Sequence, residues 1–375
     1  MRNRSTSKNG TSRLKVSDCE TLGFQPPRTR IGAMKNKLAI RSSNKNVTIA
    51  IAFALIYVAY WYWTKDEFMT PEKIAEWSAN KTIIITGANS VVSVGVLQHL
   101  IRANTAQHII MACRSLEKCQ ATMNQVKERV GETKASPRQT AISIVQLDLA
   151  SRTSIQACAH VIQSSTTLST STGSALPNNT ILVWNANDST HDPVGVNAWG
   201  HLYLSHLLYP QLQRIVVAAS IVGGWPWNVL QPWDERVNRY PSWLQGIAQY
   251  GTSKRALLLL AQELQQRQSP RGVQVMVTQA ALTCDVTEPC SVISMTPEKG
   301  AHSHLRAMLD PGLSSGTYLG HRWVLWGKTV IAGSLTQSWY HWPLSRDTQS
   351  KLWAWSMKEL GINEFGIQST AQMVS

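Results

Sequence analysis

Six runs of apolar, largely β-branched residues recur along the chain: KTIIITG (81–87), HIIMACR (108–114), AISIVQLD (141–148), NTILVWN (179–185), RIVVAAS (214–220) and VQVMVTQ (273–279). They read as strands that are apolar throughout rather than alternating with polar residues. Strands of that kind are buried on both faces, which requires a parallel sheet covered by helices above and below. Amphipathic stretches over roughly Val94–Ala103 and Leu116–Val130 supply such helices between the first three runs. A single doubly wound α/β domain is therefore expected over residues 80–362, with a short tail at 363–375. Sheets of this class bind ligands at the carboxyl ends of their strands, so the residues just after each run are the informative ones.

At 375 residues and 43% apolar content the chain can bury a large core. Its formal charge of +14 invites a nucleic-acid reading, but nine of those charges sit in residues 1–46, where eleven Lys and Arg face only Asp18 and Glu20. The rest of the chain is nearly balanced and carries no nucleic-acid footprint. Residues 1–46 read as a basic leader. From Val47 to Trp63 run seventeen residues without a charge, VTIAIAFALIYVAYWYW, closed by Lys65-Asp66-Glu67. As a helix this stretch reaches about 25 Å, the short end of a bilayer span. Its terminal Tyr60-Trp61-Tyr62-Trp63 cluster suits a membrane interface. A single-pass transmembrane anchor is expected over 47–63, followed by a linker over 64–79; a buried core helix is the alternative. Basic residues before the span place the N-terminus in the cytosol, and the endoplasmic reticulum is the first expectation. The acid-poor, Ser/Thr/Arg/Lys-rich leader also resembles a mitochondrial or plastid transit peptide, which keeps those organelles open.

The six cysteines form no C-x-x-C pair and have no His at ligand spacing, so they read as free thiols, Cys113 as a small core residue, and no metal site is expected. Ser164–Ser174 reads as a polar, low-complexity loop.

The first run ends in Thr86-Gly87-Ala88-Asn89-Ser90-Val91-Val92-Ser93, where a glycine-rich turn would precede a helix. The second ends Ala112-Cys113-Arg114, the third Leu147-Asp148-Leu149, the fourth Trp184-Asn185-Ala186-Asn187, and Gly195-Val196-Asn197-Ala198-Trp199-Gly200-His201 follows. The fifth ends in Ser220, and thirty residues on lies Tyr250-Gly251-Thr252-Ser253-Lys254-Arg255-Ala256. Tyr and Lys at i, i+4 share one face of a helix, where the ammonium is expected to lower the phenol's pKa.

Together these segments resemble the short-chain dehydrogenase/reductase family, a Rossmann-type fold, and its retinol dehydrogenase and protochlorophyllide reductase branch in particular. That branch reads T-G-A-N-S-G-I-G, A-C-R, N-N-A-G, V-N-x-x-G-H and Y-x-x-S-K-x-A at the corresponding places. A C-terminal segment, Lys351 to Leu360, is similar to the branch's closing L-W-E-x-S-x-x-L helix. Val91 and Ser93 replace the second and third glycines, and a β-branched Val resists the positive φ a glycine turn can require. Asn187 replaces the final glycine of N-N-A-G, where an Asn can still take the left-handed conformation. Ala280-Ala281-Leu282-Thr283 stands in place of the family's P-G-x-x-x-T.

The resemblance implies Ser220, Tyr250, Lys254 and Asn197 as catalytic residues, Asn197 holding a water that links Lys254 to solvent. It implies Gly87, Asn89, Ser90, Arg114, Asp148, Asn185, Tyr250 and Lys254 as cofactor-binding residues. Arg114 at the ribose end suits the 2′-phosphate of NADP(H). Plainer readings stay open beside these: Arg114 as a surface side chain, Asp148 as a helix cap, Asn197 as a helix-interior residue satisfied by backbone. Residues 286–320 would form a variable lid. Trp225, Trp227, Trp233 and Trp243 would either line an apolar mouth or pack in the core. The function implied is a membrane-anchored NADP(H)-dependent oxidoreductase for a lipophilic alcohol or carbonyl compound such as a retinoid, steroid or lipid, and a homo-oligomer is compatible with it. The altered glycines leave open an inactive relative that acts as a binding or scaffolding module.

Overall fold

Successive strand residues face opposite sides, and in β1 (Thr82–Thr86) both sides are apolar. Ile84 packs into one layer and Ile83 and Ile85 into the other, none more than 1% exposed. β1 lies inside an eight-stranded sheet with β2 (His108–Cys113), β3 (Ala141–Gln146), β4 (Thr180–Trp184), β5 (Leu212–Ala219), β6 (Gln274–Gln279), β7 (Thr317–His321) and β8 (Thr329–Ser334). The order is β3-β2-β1-β4-β5-β6-β7-β8; the first seven run parallel, and β8 pairs antiparallel with β7. The computed structural model describes residues 47–58, 69–131, 140–167, 179–188, 194–225, 227–231, 235, 240–279, 283–284, 294–321, 329–335 and 345–366.

The six expected strands are all present. β7 and β8 are additions, and β7 lies in the stretch expected to be a lid. The chain divides into two units, residues 1–60 and 61–375. In the first, residues 47–58 form an exposed helix, α1. Among the described residues no helix is long and apolar enough to cross a membrane. The end of the expected span, 59–63, and the basic leader lie outside the described residues.

In the second unit, α2 (Pro71–Ser78), α3 (Val91–Ala103), α4 (Leu116–Val130) and α9 (His302–Leu309) cover one face of the sheet. They do so through residues such as Ile74, Leu97, Leu100, Met123 and Leu305. α5 (Arg152–Thr167), α6 (His201–Leu208), α7 (Ser242–Gln268) and α10 (Arg346–Leu360) cover the other, and a short α8 (Pro297–Gly300) precedes α9. Several helix starts are written in the sequence. Ser90, Ser115 and Ser345 cap α3, α4 and α10 by accepting from the amide three residues on. Thr70 caps α2 with Pro71 in its first turn, so part of the expected linker is a helix whose Ile74 is in the core. α5 continues to Thr167, into the stretch expected as a polar loop.

One expectation is corrected by proximity. Cys113, at the end of β2, and Cys119, in the first turn of α4, are joined as a disulfide with Cα atoms 6.2 Å apart. A spacing of six residues does not announce this, because it is the strand-to-helix turn that brings the two together. Cys284 is also disulfide-bonded, and Cys158 is a buried free thiol.

Arg214, near the start of β5, shows how the end of α9 is fixed to the sheet. Its Nη1 donates to the carbonyls of Ala307, Met308 and Asp310 at 3.0, 3.0 and 3.1 Å, and its Nε and Nη2 reach Gln274 Oε1. One guanidinium thus satisfies the last carbonyls of α9. Removing it leaves these buried acceptors unpaired. Arg214→Met is expected to destabilise the domain by about 3 kcal/mol in urea unfolding. A loss below about 0.5 kcal/mol would show that the cap contributes nothing.

Candidate active site

Consecutive helices leave β1 and β4 toward opposite faces, so the carboxyl ends of these neighbouring strands diverge and open a crevice. The backbone there loses its ladder partners, and buried side chains replace them. Thr86 Oγ1 accepts from the amides of Asn185 and Ala186 at 2.9 and 3.0 Å. Its own proton is shared between the carbonyl of Val183 (3.0 Å) and His201 Nε2 (2.7 Å). His201, fully buried and stacked on Trp184, donates through Nδ1 to Asn197 O, and burial pushes its pKa down to about 3, so it is neutral.

Asn185 Nδ2 lies within 2.9–3.2 Å of the carbonyls of Thr86 and Gly87 and the hydroxyls of Ser90 and Ser93. Ser93, in place of a glycine, is buried and bonded into this cluster. Val91 is not strained either. It begins α3, and among the described residues the only side-chain-bearing positions with positive φ are Asn80 and Asn104. Asn187, read as able to take the left-handed conformation in place of a glycine, does not adopt it. Gly87 does, at φ 58°, and a Cβ there would stand 2.6 Å from Ala186 Cα, so this first glycine is required.

Gly87, Asn89, Ser90, Arg114, Asp148 and Asn185, all expected at a cofactor site, line one cavity of about 420 Å³. Val91 is not among its walls. Asp148 Oδ1 accepts from the amide of Ala150, while the helix cap anticipated for it is supplied by Ser151, whose hydroxyl accepts from Ser154 N. Lys118, Leu149, Val196 and Asp188 are among its other lining residues and had not been expected at a cofactor site.

Ser220, Tyr250 and Lys254 form a separate cluster at the end of β5. Ser220 is extended at the strand end, and its hydroxyl is near enough to the Tyr250 phenol to act on that group's pKa. Lys254, one turn further along α7, is fully buried. Its Nζ donates to Ala218 O at 3.0 Å and lies 5.7 Å from the centre of the Tyr250 ring. The close approach needs Gly223, where a Cβ would stand 2.6 Å from Lys254 Cβ. The expected electrostatics are reversed. Burial raises the Tyr250 pKa above its ordinary value, against a smaller lowering by the Ser220 hydroxyl, and burial lowers Lys254 to about 8. The phenol is therefore a protonated donor at neutral pH.

Asn197 sits in a π-helical turn, Gly195–Gly200, and its amide is occupied by protein partners. Oδ1 accepts from Asp188 N at 2.7 Å; Nδ2 lies 2.8, 2.9 and 3.0 Å from Asn187 Oδ1, Asp188 O and Ser253 Oγ. In this arrangement it clamps the loop after β4 to α7 rather than reaching Lys254. Trp227 donates to Val222 O and stacks on the exposed Trp225; Trp243 is also exposed, and Trp233 lies outside the described residues. The same holds for Ala280, Ala281 and Leu282.

No family model matches the chain. Retinol dehydrogenase 13 of Mus musculus is 31% identical over 205 residues, 52% of this chain and 56% of that protein. Dehydrogenase/reductase SDR family member 13 of Bos taurus is 29% identical over 244 residues, covering 62% and 56%. The matches thus span about half the length of these curated relatives. Among solved structures, an uncharacterised protein from Mycobacterium paratuberculosis shares the fold at a TM-score of 0.56 and 23% identity, covering 77% of this chain and 96% of that one. With the strand order, the Gly87 turn and the Ser220, Tyr250 and Lys254 cluster in hand, the chain is thus similar in sequence to short-chain dehydrogenase/reductases of the retinol dehydrogenase branch and has a Rossmann-like fold.

Proposed function

We propose that this chain is an NADP(H)-dependent oxidoreductase that interconverts a lipophilic alcohol with its ketone or aldehyde, a retinoid, steroid or lipid carbonyl being the substrate class. Anchoring to a membrane through residues 47–63 belongs to the same proposal and rests on their apolar sequence. The observation that carries the reading is the placement of Ser220 beside the Tyr250 phenol, with the Lys254 ammonium one helical turn away and 5.7 Å from the ring centre. The cavity fits the adenosine half of a dinucleotide. Gly87 keeps the turn open, α3 presents the amides of its first turn, and Arg114 stands at the far end for a 2′-phosphate.

A bound nicotinamide dinucleotide would supply the hydride chemistry. The remaining work falls to the chain. In reduction, the Ser220 and Tyr250 hydroxyls hold the carbonyl oxygen, and the Tyr250 phenol passes its proton to that oxygen as charge develops on it. The Lys254 ammonium, 5.7 Å from the ring centre, offsets the charge of the resulting phenolate through space. In oxidation the same proton returns to Tyr250. The raised pKa of the phenol suits the donor role at neutral pH. A second reading, an inactive binding module, is favoured by the replacement of two cofactor-loop glycines by Val91 and Ser93.

Titration of the full-length chain with NADPH separates the two. The oxidoreductase is expected to bind in the micromolar range, and Tyr250→Phe to abolish turnover of a lipophilic aldehyde while leaving that binding intact. No detectable NADPH binding would leave the inactive module as the reading. Lys254 gives an independent check on the electrostatics. Its pKa of about 8 lies below the unfolded value of about 10.4, so between these the unfolded chain holds more protons and stability rises with pH. Relative to Lys254→Met, the wild type is expected to gain on the order of 3 kcal/mol across that window. A constant difference between the two proteins would refute a buried ammonium.

A further inference from the structure

Among the described residues, four charged side chains line the cavity at the strand ends: Arg114 and Lys118, Asp148 and Asp188. Asp188 is set apart by its partner. Its Oδ2 accepts from Arg114 Nη1 at 2.9 Å, an ion pair that joins the segments following β4 and β2 across the end of β1. The two groups are mounted differently. Asp188 is 15% exposed, and its backbone is held on both sides by the buried amide of Asn197, which is itself tied to Ser253 of α7. The Arg114 side chain is 71% exposed and can swing. The carboxylate therefore has a fixed position, and the guanidinium can change partners.

Arg114 is also the cavity's group for a 2′-phosphate, and a guanidinium fork that grips a phosphate bidentately is not free for a carboxylate at the same time. We propose that Asp188 is a built-in competitor for Arg114 that sets cofactor choice. The carboxylate holds the guanidinium until a 2′-phosphate displaces it, whereas a dinucleotide with a free 2′-hydroxyl leaves the pair in place. Exposed ion pairs are weak, so the exchange is accessible, and its cost falls on the phosphorylated cofactor alone. This inference rests on the dinucleotide-binding reading above and identifies a specificity-determining residue within it.

The test measures NADPH and NADH dissociation constants for the full-length wild type, Asp188→Asn, Arg114→Ala and the double variant. Asp188→Asn keeps the backbone bonds to Asn197 and is expected to tighten NADPH about fivefold while changing NADH by less than about twofold. In the Arg114→Ala background the same substitution is expected to have no selective effect. An equal change for both dinucleotides would reveal only the removal of a negative charge from the cavity, and no change would show that the pair does not compete; either result overturns the inference. Asp188→Ser serves the same measurement if the amide variant does not fold. Failure of all the proteins, wild type included, to bind either dinucleotide refutes the oxidoreductase reading itself and the inference with it. Binding without altered selectivity refutes the inference alone.

Discussion

The crevice depends on how the chain satisfies the backbone where β1 and β4 part. A parallel sheet that changes direction must leave amides and carbonyls unpaired at that point, and buried unpaired groups are costly. Here the Thr86 hydroxyl takes two amides of the β4 loop and is backed by His201, while the Asn185 amide gathers the carbonyls and hydroxyls of the first turn. The two loops are thereby held apart at a fixed width by side chains that cannot rearrange without exposing polar groups to an apolar core. The cavity beside them follows from that spacing.

This explains how the first turn tolerates the loss of two glycines. Ser93 supplies a hydroxyl to the Asn185 cluster and is buried by it, and Val91 begins a helix at ordinary φ. The glycine that remains, Gly87, is the one whose φ is positive and whose Cβ position is taken by Ala186. What is retained is the conformational requirement of the turn, which bears on the backbone's ability to approach a phosphate.

Tyr250 and Lys254 illustrate a conflict between proximity and burial. A cation beside a phenol favours the phenolate, but the ring and the ammonium are both enclosed by α7 and the turn carrying Gly223. Desolvation opposes charge on each: the phenol's pKa rises and the ammonium's falls. The ammonium also faces the Ala218 carbonyl rather than the hydroxyl. A protonated phenol next to a positively charged but readily deprotonated lysine is the resulting ground state.

By itself the sequence determined the strand series, the parallel sheet and the residue types of the site, because periodicity and i, i+4 spacing are local properties. It did not reveal β7 and β8; β7 joins the sheet by pairing with β6, about forty residues earlier in the chain, and β8 then pairs with β7. Nor did it reveal the Cys113–Cys119 bond, the direction of the Tyr250 shift, the use of Asn197 as a clamp or the pairing of Asp188 with Arg114. Those depend on distance through space and on exclusion of water, and both are set only when the helices close over the sheet.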